Sequence, residues 1–169
     1  MTYKIIKGVL TKEHVEDEEL LIIGALKSDI IKCRSLIVFG YITVKKLVMC
    51  ENALIMGNGR IYSMISKNTV LIPTSGPLSI TSLKTLELIV HGKRYPVIIH
   101  EVETIKGIIS HGLINEIRAK KLILAEKTRI RNLADCIKLV FRDPLVSLEN
   151  IACKPTHILF MYEPIDYQY

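Results

Sequence analysis

The sequence predicts an all-β protein, a single-stranded parallel β-helix or solenoid, from three observations. Aliphatic residues recur at an interval of 17, turn-forming residues separate short apolar segments, and the apolar residues are mainly Ile, Leu and Val. Hydrophobic residues make up 49% of the 169 positions, aromatic residues only 6%, and Trp is absent. This composition indicates one folded domain with a substantial core rather than a disordered chain.

The repeat is visible as columns when the chain is written in rows of 17. One column contains only Ile and Leu, and the next is aliphatic with one exception. A coil of this length cannot bury its own inner face, so we expect about eight stacked coils of roughly 17 residues, each hydrogen-bonded to the next. The first column consists of Ile37, Leu54, Leu71, Leu88, Ile105, Leu122 and Leu139.

The four cysteines follow the same interval. Cys33 and Cys50 are 17 residues apart, and so are Cys136 and Cys153. One coil of separation stacks each pair in neighbouring rungs, and free Cys packs like a small hydrophobic residue, so two core ladders are expected. A disulfide requires the side chains to turn toward each other. A metal site requires further ligands, and none follows at zinc-finger spacing.

Two segments in successive rows, Leu36-Ile37-Val38-Phe39-Gly40 and Ala53-Leu54-Ile55-Met56-Gly57, resemble the rungs of bactofilins. The similarity is one of period and pattern and spans residues 20–160. It implies a right-handed β-helix that polymerises end to end into filaments without nucleotide, sometimes on membranes. Steps of six residues from Ile37 reach Thr43 and Lys67, which does not fit a left-handed β-helix. The two observations together predict a right-handed winding.

The chain divides into residues 1–19, an N-terminal strand and acidic linker, residues 20–157, the β-helix domain, and residues 158–169, an aromatic cap or tail. The N-terminal strand is either the first rung or an amphipathic surface strand. The acidic run is either a solvated linker or a charged gate against wrong contacts. Because solenoid ends are exposed β-edges, the sequence places a self-assembly interface there: Ile5, Ile6, Val9, Phe160 and Tyr162.

Basic residues concentrate in one stretch, with only Glu126 among them, and the net charge of the chain is +6. Stacking would bring this stretch onto two adjacent coils as a basic patch. The patch is either a solvated surface or a site for nucleic acid or another anionic surface. It consists of Arg118, Lys120, Lys121, Lys127, Arg129 and Arg131.

The sequence contains no recognisable catalytic arrangement. His91, His100 and His111 are separated by 9 and 11 residues, and neither interval is a whole coil. Neither a phosphate-binding loop nor a Gly-x-Ser-x-Gly turn occurs. We therefore expect no enzyme activity, no cofactor and no metal. The expected function is a cytoplasmic structural protein that assembles with itself. The alternatives are a polyanion-binding module or a component of a virus particle or other multi-protein structure.

Overall fold

The computed structural model describes residues 3–161, and these residues form β-strands and no helix. Extended backbone is expected here because Ile, Val and Thr fill the strands and favour pleated, half-buried conformations. The strands are β1 (Lys4–Met49), β2 (Asn52–Ile72), β3 (Leu78–His91), β4 (Val97–Ser110), β5 (Gly112–Leu124), β6 (Arg129–Phe141), β7 (Ser147–Ile151) and β8 (His157–Phe160).

The strands pair in parallel and in chain order from β1 to β7, which is the topology of a solenoid. β7 and β8 share the last described coil, because both pair with β6. β1 is long because extended backbone continues around its corners through several coils. The prediction of an all-β parallel β-helix is therefore confirmed, with about seven turns of about 17 residues. Its right-handed winding stays a prediction.

The core is the inside of the stack, where alternate side chains of each strand point. One inward column runs through β1 to β6 with every member 4% exposed or less. Burying a Leu, Ile, Val or Met side chain completely contributes about 1.5–3 kcal/mol, so such columns supply most of the driving force for coiling. This column consists of Val48, Met64, Leu83, Val102, Ile117 and Leu133.

The interval of 17 is an average, because the turns between strands differ in length. Residues 78 and 97, which are neighbours across β3 and β4, are 19 apart, whereas residues 97 and 112 are 15 apart. Residues spaced by 17 therefore drift from the inner to the outer face of the stack.

This drift corrects the predicted Ile and Leu column. Ile37 and Leu54 do stack, but they lie half-buried on the outer face. Leu71 is buried and pairs with Val90 rather than Leu88, because the turn after β2 adds residues. Ile105 is 46% exposed. The remaining members, Leu88, Leu122 and Leu139, are buried.

Glycines stack at one position in the first four coils. A Cβ on Gly40 would lie 2.1 Å from the carbonyl oxygen of Gly24, and a Cβ on Gly24 equally close to that of Gly8. The φ angles of Gly24 and Gly40 are +135° and +132°, a region that L-residues rarely adopt. Both the space and the backbone conformation therefore require glycine here.

The acidic run lies within β1, so residues 4–19 are strand residues rather than a separate linker. Lys4 Nζ lies 2.8 Å from the Asp17 carboxylate. Arg34 Nη2 contacts Glu18 at 3.5 Å and Glu19 at 2.9 Å. Glu19 is 4% exposed, and its Oε2 atom has no hydrogen-bond partner among the described residues. The acidic run is thus held by basic residues of the first and third coils.

Candidate functional site

The C-terminal end of the described stack leaves the core open. Ile151 pairs with Leu133, and Ile158 pairs with Leu139, so both continue inward columns. Leu133 and Leu139 are at most 1% exposed, whereas Ile151 and Ile158 are each 49% exposed. The difference arises because another coil covers the first pair and no described coil covers the second. Side chains of core type are therefore accessible at this end.

The backbone of the last described coil is also open. β7 and β8 both pair with β6, and within residues 3–161 no strand pairs with their opposite edge. An uncovered edge presents a row of N–H and C=O groups that can pair with another chain. The open core and the open edge lie at the same end of the stack. This end therefore offers both the apolar surface and the backbone hydrogen-bonding groups that another coil would need in order to stack on it.

Phe160 belongs to this end. It pairs with Phe141, and the two rings stack with centroids 5.1 Å apart and planes 11° apart. Its side chain is 64% exposed. Tyr162, the other C-terminal residue of the predicted interface, lies outside the described residues.

At the N-terminal end, the predicted residues divide between two faces. Ile6 packs against the core, whereas Ile5 and Val9 are 58% and 70% exposed. A Cβ on Gly8 would meet nothing within 4 Å, although a Cβ on Gly24 would collide with the coil before it. The first described rung therefore has open space beyond it, and Ile6 is the predicted residue that lies at the core.

One inward column connects the two ends. Gly24 stacks on Gly8, and Ile6 and Ile22 each stand two residues before one of these glycines. Ile6 and Ile22 are therefore neighbours in the column. The register then carries the column through β2 to β8. A coil added at either end in parallel register would extend the same column. Its later members are Val38, Ile55, Leu71, Val90, Ile109, Leu124, Phe141 and Phe160.

The structure divides four of the six predicted basic residues between two grooves. Arg118 and Lys120 line an open groove of about 490 Å³, where Arg118 Nη2 lies 2.6 Å from Glu116. Arg129 and Arg131 line a second groove of about 520 Å³. Lys127 lies in the turn between β5 and β6, with a φ of +55°. The 14 residues from 118 to 131 cover most of a coil, so these side chains point in different directions.

A column of basic residues was missed by the sequence analysis. Lys106, Lys121 and Lys138 are direct neighbours in β4, β5 and β6, and His157 follows them in β8. Glu87 precedes them and lies 3.6 Å from Lys106. Intervals of 15, 17 and 19 residues hide this column from a fixed 17-residue alignment. Among the described residues, Lys121 and Lys138 have no ion-pair partner.

The cysteine pairs are neighbours, as predicted, and all four thiols are free. A hydrogen bond from the Cys50 thiol lowers the pKa of Cys33, and the same contact raises the pKa of Cys50. Burial raises the pKa of Cys136 to about 11. The column between the two pairs holds small, buried residues: Ser66, Thr85, Thr104 and Ala119.

Neither known proteins nor metal-binding geometry assigns a function to these features. Comparisons with protein families, curated proteins and solved structures found no match. The resemblance to bactofilins thus rests on rung length and pattern alone. Residues 3–161 hold no group of three or more His, Cys, Asp or Glu placed to bind a metal. No helix in this part of the chain is long and apolar enough to span a membrane.

Proposed function

We propose that this chain is a structural protein that assembles with itself by stacking its coils end to end, without nucleotide. The observation that carries the proposal is the 49% exposure of Ile151 and Ile158 in columns that are otherwise buried. The expectation from the bactofilin resemblance points to the same kind of assembly.

Head-to-tail stacking is the arrangement that keeps the parallel register. In it, the coil formed by β7 and β8 of one copy lies against the first rung of the next, and Phe160 continues toward Ile6 in one column. Such a contact joins two different surfaces and does not close on itself, so it produces a chain of subunits.

The contact is expected to be reversible at moderate concentration. Completing the burial of a half-exposed Ile contributes about 1 kcal/mol, and each net backbone hydrogen bond adds a similar amount. Association costs at least about 4 kcal/mol in lost translational and rotational freedom, so several of these contributions are needed to offset it. Filament length should therefore rise steeply with protein concentration.

Negative-stain electron microscopy of the purified protein, across salt and protein concentrations, tests the proposal. We expect filaments from the unaltered chain and only short particles from Ile158→Glu. Ile137→Glu is the matched control, because Ile137 is also 49% exposed but lies in β6, which β7 and β8 already cover. Circular dichroism verifies that both variants keep their β-structure. Ile151→Glu repeats the test on β7.

Two results would refute end-to-end assembly. One is a monodisperse monomer with no filaments at any concentration tested. The other is that filaments form equally well from the Ile158→Glu and Ile151→Glu variants, since a charged carboxylate cannot be buried in a coil contact without large cost.

A second candidate function is the binding of a polyanion, and the basic column favours it. Like charges stacked about 4.8 Å apart repel one another, and an anionic chain lying along the stack would relieve that repulsion. Salt-dependent retention on heparin or DNA tests this function. We expect Lys121→Glu with Lys138→Glu to abolish retention, and reversal of Arg129 and Arg131 to reduce it less, because Arg129 is paired with Glu149 at 2.6 Å.

A further inference from the structure

The outer side of the first coils carries an apolar surface, which we call the apolar face. It consists of two columns of outward-pointing side chains. Ile37 pairs with Leu54 and Phe39 with Met56, and the stacked glycines align the preceding rung. Val70 extends the first column, since it lines the same shallow depression as Leu54. The apolar face comprises Leu21, Ile23, Ile37, Phe39, Leu54, Met56 and Val70.

These side chains point away from the core and are accessible. Ile23 and Phe39 are 42% and 39% exposed, whereas their inward neighbours Ile22 and Val38 are completely buried. The rungs at 20–23, 36–39 and 53–56 are therefore apolar on both sides of the strand. Such continuous apolar runs are typical of strands that are covered on both faces. Within residues 3–161, only the inner face is covered.

We propose that the apolar face is covered by the apolar face of a second copy, so that two solenoids lie side by side about a two-fold axis. In a two-fold contact the same surface patch of both copies meets, so a charged face would bring like charges together and the two copies would repel each other. The seven residues of the apolar face carry no charge, whereas the whole chain carries +6. This face can therefore meet its own copy without electrostatic repulsion.

The size of the face fits such a contact. Four rungs about 4.8 Å apart and two columns about 7 Å apart, with the width of the side chains, cover roughly 300 Å². Isolated patches of about 300–600 Å² are the largest on typical monomers and often mark binding sites. A standard interface buries about 800 Å² per partner, a little over half of it apolar, so the face would supply most of the apolar part.

The polar border of the face is also suited to self-contact. Ser35, Asn52 and Asn68 form the column beside it, and Asn68 Nδ2 donates to Asn52 Oδ1 at 2.8 Å. Carboxamides carry both donors and acceptors, so an Asn column can pair with its own copy in either direction. The border would complete the interface with hydrogen bonds at its edge.

This lateral contact does not depend on the end-to-end contact, and a variant with blocked ends separates the two. In the Ile158→Glu background, sedimentation equilibrium should give the mass of two chains. Adding Phe39→Glu should halve that mass. Ile98→Glu is the matched control, because Ile98 is also 39% exposed but lies on another face, in the second groove. It should leave the mass at two chains.

The proposal is overturned if the Ile158→Glu variant has the mass of one chain at every concentration, or if two-chain particles survive both Phe39→Glu and Ile23→Glu. Should Ile158→Glu still form filaments, their width gives the answer. Filaments two solenoids wide that become one solenoid wide with Phe39→Glu support the lateral contact, and an unchanged width refutes it. Circular dichroism confirms the fold in each case.

Discussion

Replacing Gly40 by Ala should destabilise the stack strongly, and Gly8→Ala is its matched control. Both glycines have positive φ, +132° and +99°, so each substitution introduces backbone strain of about 1–2 kcal/mol. Only Gly40 also meets the previous coil, where the added Cβ would lie 2.1 Å from the Gly24 carbonyl oxygen. Nothing lies within 4 Å of the corresponding position on Gly8.

The difference between the two variants measures how tightly the coils stack. An ordinary contact requires the methyl group added at Gly40 and the carbonyl oxygen to separate by about 1 Å, which is a large fraction of the hydrogen-bond length between rungs. Weakening two neighbouring backbone hydrogen bonds costs about 1 kcal/mol each. We therefore expect Gly40→Ala to lower the free energy of unfolding by about 3–4 kcal/mol and Gly8→Ala by about 1–2 kcal/mol.

Urea denaturation followed by circular dichroism gives both values, provided that the dependence on urea concentration is the same for the two variants. Measurement in the Ile158→Glu background removes the contribution of end-to-end assembly, and equal low protein concentrations limit that of the lateral contact. Equal losses of stability in the two variants would refute the reasoning, because they would mean that the first coils do not stack as closely as the glycine positions require.

The remaining predictions concern buried or paired polar groups. Thr104→Val should lower the free energy of unfolding by about 1 kcal/mol, because the buried Thr104 hydroxyl lies within hydrogen-bond distance of the backbone carbonyls of Leu86 and Lys106. Arg34→Met should destabilise the chain more than Lys67→Met, because only Arg34 has a buried carboxylate partner. Cys33 should react with a thiol reagent before the other cysteines, since its pKa is lowered. Cys136, with its pKa raised to about 11, should make stability fall as the pH rises from 9 to about 11, because the folded chain keeps a proton that the unfolded chain loses.

Each of these predictions has a direct measurement. Urea titrations compare Thr104→Val and the Arg34 and Lys67 variants with the unaltered chain, and unchanged stability in Thr104→Val or equal losses in the other two would contradict the assignments. Peptide mapping after brief labelling identifies the first thiol to react. Urea titrations at several pH values, repeated with Cys136→Ala, show whether the slope above pH 9 belongs to that thiol.

The sequence predicted the fold because solenoid coiling depends on features that are local and repeated. The stacked cysteines and the matching positions of Gly40 and Gly57 in successive rows followed from spacing alone, since the early coils have nearly constant length. Individual columns in the later coils did not follow, because the turns after β2 and β3 have five residues each and the turn after β4 has one. Leu71 and Leu88 were consequently assigned to one column although they lie in two.

The same variation in coil length explains what was missed at the candidate sites. The basic column of Lys106, Lys121 and Lys138 has unequal intervals, so only the strand register reveals it. The exposure of Ile151 and Ile158 at the open end could not be predicted either. In the sequence, both look like any other core isoleucine, and only the stacking shows that no described coil covers them. The apolar face was visible as four-residue apolar runs, but their outward half could not be distinguished from the inward half before the coils were stacked.

Salt dependence separates the two candidate functions by its sign. The chain carries +6, so copies approaching one another repel, and salt screens that repulsion. Apolar contacts at the ends and on the apolar face lose nothing to screening, so self-assembly should strengthen as salt increases. Binding of a polyanion along the basic column releases counterions and must weaken as salt increases. A salt series that lengthens filaments while releasing DNA would show both activities in one chain, on different surfaces. If filaments dissolve in salt, then charge pairs, rather than the open core, hold the subunits together.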